Sequence, residues 1–161
     1  MSESTTPEPD SVMAAITAAV QLGHAGDRAG ARAALEALWD EPGDALHRCT
    51  IAHFAADVQE TVADELRWDQ RALAAAGDLT DECLQEHDAA WQVRQLLPSL
   101  HLNLADAHRR SGNFPDAHRH LAAALTNLDA LPDDDYGQLI RGGAEKIDQA
   151  LDKNSTAPLV P

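Results

Sequence analysis

One short pattern of small and apolar residues recurs along this chain, and it restricts the fold more than any other feature. Between Gly112 and Leu125 the sequence reads G-N-F-P-D-A-H-R-H-L-A-A-A-L, with Ala117, Leu121 and Ala124 at helical spacing. The same skeleton stands earlier as G-D-R-A-G-A-R-A-A-L-E-A-L-W, where Gly26, Ala31, Leu35 and Leu38 take the corresponding places. A degraded middle copy, E-L-R-W-D-Q-R-A-L, ends on Ala72 and Leu73. Aligned on the small residue, the copies pair Ala31 with Glu65 and Ala117. The intervals are 34 and 52 residues, the second being 34 plus an insertion of 18. A period of this length belongs to a helix–turn–helix unit, which cannot bury its own apolar face and must stack on neighbours.

Local signals divide the chain accordingly. Asp10 or Ser11 can cap a first helix carrying Met13, Ile16 and Val20, which ends near Gly23 to Gly26. A second helix from about Asp27 buries Ala31, Leu35 and Leu38 and stops before Pro42-Gly43. Asp44 caps a third through Leu46, Cys49, Ala52 and Ala56, and a fourth carries Leu66, Ala72 and Leu73 to Gly77-Asp78. From Thr80 to Leu97 the pattern is less regular; Leu84, Trp91 and Leu96 fit one side of a helix that ends or kinks before Pro98. Pro98 then suits the first turn of a helix with Leu100, Leu104 and Ala107. Phe114, Ala117, Leu121, Ala124, Leu128 and Leu131 mark the next. Tyr136, Ile140, Ala144, Ile147 and Leu151 mark the last, weakened in its middle by Gly142-Gly143. The expected organisation is a disordered leader over about 1–10, one helical domain over about 11–153, and a disordered tail over about 154–161. Within the domain, repeats span about 12–43, 46–78 and 98–131, with an insertion at about 79–97 and a capping helix at about 134–153.

Composition excludes several functional classes. Twelve Lys and Arg against 27 Asp and Glu give a formal net charge of −15, which repels phosphate backbones and argues against nucleic acid as a partner. The leader lacks the basic and apolar regions of a signal peptide, and no apolar run approaches the ~20 residues that cross a bilayer. No membrane partner and a cytoplasmic location follow as expectations. His101 and His108 lie two turns apart, His118 and His120 point to different sides, and no local metal-ligand signature is present, so no metal or cofactor is expected. Cys49 and His53 share a helix face, but a helix supplies no oxyanion donors there, and no enzymatic activity is expected.

The pattern around the last copy resembles the tetratricopeptide repeat family. Leu104 and Ala105 stand where that motif has its Leu-Gly pair, Gly112 and Phe114 mark its turn, Ala117 its small packing residue and Ala124-Leu125 its closing pair. His101 and His108 replace the usual large aromatics, and Glu65 and Asp69 replace small and apolar residues in the middle copy, where with Asp64 they read as helix-surface charges near Arg67 and Arg71. The segment from about His47 to Leu125 is also similar to short actinobacterial tetratricopeptide proteins. The resemblance implies an all-α fold: a right-handed superhelical stack of about three helical hairpins with a C-terminal capping helix.

The resemblance further implies a concave groove lined by the first helix of each hairpin, in which a polar residue before the Leu-Gly pair grips a peptide backbone. That residue is Asn103, whose amide both donates and accepts, with Asp106 and Arg110 on the same face. Matching positions give His47, Thr50, Phe54 and Asp57 in the middle copy, and Thr17 and His24 in the first. Trp91, in the insertion, is a candidate aromatic wall. The expected function is binding of a peptide or protein segment in this groove. The alternative is a small-molecule binder whose 79–97 insertion closes a pocket.

Overall fold

The computed structural model describes residues 10–41, 43–79 and 90–159. Among them are seven α-helices and no strand: α1 (Ser11–His24), α2 (Arg28–Asp40), α3 (Ala45–Asp57), α4 (Val62–Gly77), α5 (Ala90–Arg110), α6 (Phe114–Thr126) and α7 (Asp135–Asp152). The chain is all-α, as expected. Short polar side chains start six of these helices by accepting from otherwise orphaned backbone N–H groups: Asp10, Asp27, Asp44, Thr61, Asn113 and Asp134.

The second helices of the three hairpins begin at Arg28, Val62 and Phe114, 34 and 52 residues apart, so the sequence period is also a period of helix starts. α1 and α5 end on the same device. Gly26 and Gly112 adopt positive φ (96° and 81°), and the following N–H groups of Asp27 and Asn113 return to the carbonyls of Leu22 and His108. α1 packs on α2, α3 on α4 and α5 on α6, while α2 touches α3, α4 touches α5, and α7 covers both α5 and α6.

Two apolar clusters result. Ile16, Leu35, Ile51, Trp68 and Leu100 belong to one, and Leu102, Leu121, Ile147 and Leu151 to the other. Each such side chain removed from water contributes ~1.5–3 kcal/mol before chain entropy is offset. Trp68 meets Trp39 edge to face at 5.3 Å, and Arg71 lies over both rings.

Two sequence expectations change. Of the two alternatives before Pro98, an end or a kink, the end is excluded, and no new helix starts there: α5 runs through Pro98, which is buried, with Leu96 and Leu100 packed on the first cluster. That packing offsets the backbone hydrogen bond that proline removes, a loss of ~3 kcal/mol in a helix interior. Asp69, read as a surface charge, is 1% exposed. Of the expected leader, residues 1–9 lie outside the described residues, as do 80–89 of the insertion and 160–161 of the tail. Residues 154–159 fold back beside α5 and α7.

Candidate functional site

An open cleft of about 290 Å3 lies where α1 and α3 meet α2, which supplies Arg28, Ala31 and Leu35 to its wall. Val20, Leu35 and Phe54 form its apolar floor, and His24, Arg28 and Asp57 form its polar rim. Much of Asp57 is open to solvent, yet the surrounding cleft crowds its carboxyl. This desolvation raises its pKa, with His53 pulling it back and Glu65 adding to the rise. Burial lowers the pKa of neighbouring His53, whose Nδ1 is buried without a hydrogen-bond partner among the described residues. His53 thus tends toward neutral imidazole beside a carboxyl that holds its proton unusually well.

His47 and Thr50 serve the fold locally. His47 is buried, its Nε2 lies 2.8 Å from Asp10 Oδ2, and its backbone N–H donates to Asp44. It lines a separate cleft with Val12, Leu38 and Ile51. The Thr50 hydroxyl donates to the Leu46 carbonyl one turn back. Counting back the 52 residues between the starts of α4 and α6 places Ile51, Phe54 and Val58 opposite Asn103, Asp106 and Arg110. Thr50 and Asp57 are each one residue away from that register, about 100° around the helix.

Asn103 and Asp106 line a third cleft of about 240 Å3, whose far wall is α7 (Leu139, Ile140, Gly143 and Ile147). Asp106 is occupied: one oxygen accepts from Arg109 and the other from Arg110 Nε at 2.8 Å. Arg110 also donates to Glu65 Oε1 at 2.6 Å, tying α5 to α4. The predicted residues therefore divide among three clefts. Phe54 and Asp57 share one, Asn103 and Asp106 another, and His47 a third; Arg110 is half-buried in ion pairs, and the Trp91 side chain lies outside the described residues.

Sequence reasoning missed two residues at the centre of this region. Arg109 is fully buried, and its guanidinium reaches Asp106 and the chain beyond α7. Asp69 is buried with neither carboxylate oxygen paired among the described residues. Its pKa is pushed up to about 8 by burial, then by Glu65 and Asp57, against the pull of Arg110. One signal for Asp69 was present: it stands four residues after Glu65, as Leu35 follows Ala31 and Leu121 follows Ala117, so the register assigned it to the core.

Other chemistry-bearing groups are structural in their geometry. Burial raises the Cys49 thiol to about 11, which keeps it protonated at neutral pH. His120 of α6 stacks with both His101 and His108 of α5, at 5.5 and 5.4 Å between centroids. No group of three or more His, Cys, Asp or Glu among the described residues is arranged to hold a metal ion, and no described helix is long and apolar enough to cross a membrane. Comparison of the chain with protein-family models, with curated proteins and with solved structures returned no match in any of the three.

Proposed function

We propose that this chain is a tetratricopeptide-like interaction module that binds a peptide or protein segment across the first helices of its hairpins. The observation that carries this reading is the open α1–α3 cleft, where an apolar floor of Val20, Leu35 and Phe54 meets a rim of His24, Arg28 and Asp57. An extended segment needs this combination: apolar surface for a side chain, and polar groups beside it for a backbone. The 34- and 52-residue spacing of helix starts supports the repeat architecture on which the reading rests. The cleft also sits at the small end of the ~300–1,000 Å3 typical of small-molecule pockets, and such pockets are more enclosed.

Selection of a displayed random-peptide library on the full chain, followed by titration of the winners, tests the proposal. Phe54→Ala is expected to weaken selected peptides at least ten-fold at a temperature where the variant is still folded, since Phe54 also packs on the first apolar cluster and its loss lowers the melting temperature. Winners that bind Phe54→Ala as tightly as the parent chain would move the site. A library that yields no binder, with a metabolite panel that raises the melting temperature, would favour the small-molecule alternative.

A further inference from the structure

The chain beyond α7 lies on α5 in the manner of a peptide ligand. α7 ends with Asn154 at a φ of 49°, and the N–H groups of Asn154 and Ser155 return to Leu151 and Ala150. This turn sends the following residues back beside α5. There, Arg109 Nη1 donates to the carbonyls of Ser155 (2.8 Å) and Ala157 (2.7 Å), while its Nε and Nη2 donate to Asp106. The backbone bends at Ala157, so a single guanidinium that receives the carbonyls of Ser155 and Ala157 holds the shape of this segment as well as its position. Pro158 restricts its own φ to about −65°, and Leu159 then packs on the second apolar cluster.

The receptor side is far more deeply built than its occupant. Arg109 is 0% exposed, whereas Thr156, Ala157 and Pro158 are exposed and Leu159 is only half-buried. The tail is part of what seals Arg109 from water, and both Nη1 hydrogen bonds go to it. The contacts of this site thus specify little beyond two backbone carbonyls and one apolar side chain. Space remains beside Leu159: the cleft of about 240 Å3 there is walled by Asn103 and by Leu139, which is 70% exposed.

We propose that the α5–α7 cleft is a second peptide-binding site, selective for an uncharged segment that offers two backbone carbonyls to Arg109 and ends in Pro-Leu, and that Ser155–Leu159 is its resident, displaceable occupant. The site differs from the α1–α3 cleft and shares with it only the ligand class. An occupant held on the same chain competes at an effective concentration of about millimolar. A partner of the same chemistry displaces it by adding a side chain in the space beside Leu139.

The probe is a fluorescein-labelled, amide-ended Asn-Ser-Thr-Ala-Pro-Leu peptide, titrated by anisotropy against the full chain and its Leu159→Asp variant. Leu159→Ser replaces the aspartate variant if the latter melts early. Evicting the resident residue is expected to tighten peptide binding at least ten-fold over the parent chain. A peptide with Asp in place of its Leu should not bind either protein, and Phe54→Ala should leave the binding unchanged. Equal affinity for parent and folded variant, or no binding to the folded variant, would overturn the proposal. Loss of this peptide on Phe54→Ala would also overturn it, by placing the peptide in the α1–α3 cleft.

Discussion

The hairpins α1–α2 and α5–α6 on one side, and α3–α4 on the other, start their second helices in one register by different chemistry. In the outer two, a glycine at positive φ closes the turn, Ala31 and Ala117 are 0% exposed, and Leu35 and Leu121 follow in the core. The middle hairpin has Glu60, Glu65 and Asp69 at the corresponding places. Its helix α4 nevertheless starts in register, because Thr61 caps it as Asp27 and Asn113 cap α2 and α6. Cap and turn chemistry thus carries the period where the core residues do not. Glu65 is accommodated by Arg110 from α5, but Asp69 has no such partner among the described residues and remains acidic in a buried site.

The difference gives the middle and last hairpins opposite responses to pH. The Asp69 pKa in the folded chain, about 8, lies above its ordinary value of 3.8. Between these values the folded chain holds a proton that the unfolded chain releases, so this contribution to stability falls as pH rises. His120 behaves in reverse. Burial, then His101 and His108, lower its pKa from 6.5 to about 4, so the unfolded chain takes up a proton in that interval and stability falls as pH drops.

The largest expected effect follows from Asp69. Asp69→Asn keeps the shape and removes the charge, and should raise stability at pH 9 by ~2–5 kcal/mol while changing little at pH 4. Denaturant midpoints across this range check it; an unaltered pH slope would mean that Asp69 ionises without cost. Next, Ala117→Leu and Ala31→Leu should each cost ~1–3 kcal/mol by overpacking, whereas Glu65→Leu, at the matching place, should cost less. Similar losses at all three would erase the contrast between hairpins. Gly112→Ala and Gly26→Ala should cost ~1–2 kcal/mol each because of their positive φ, with Glu60→Gly close to neutral. The smallest effect is expected of His120→Gln, which should flatten the acid limb between pH 6.5 and 4 by less than ~1 kcal/mol, since the ring is only half-buried. A steeper limb in that variant would contradict the assignment.

Much of the helix layout was legible because it is local. Asp10, Asp44, the Gly26 and Gly112 turns and the apolar stripes of α2 and α6 act within a few residues, and the structure uses them as their sequence neighbours imply. Pro98 misled because its local preference for a helix start is overridden by burial against residues distant in sequence. Arg109 was hidden for a related reason: nothing near it in sequence announces that the chain will return 46 residues later with two carbonyls. The candidate site was legible only in fragments. Phe54 and Asp57 do meet His24, but Asn103 and Asp106 face α7, and a one-residue uncertainty in register was enough to bring Thr50 into the set in place of Ile51. A helix turns ~100° per residue, so face assignments fail at an error that segment boundaries tolerate.

Hydrogen exchange of the full chain, with and without a library-selected peptide, tests the proposed binding face most directly. Slowed exchange concentrated in Val20–His24 and Phe54–Val58, the two edges of the α1–α3 cleft, is the result this account predicts. Protection confined to other helices, with those two segments unchanged, would contradict it.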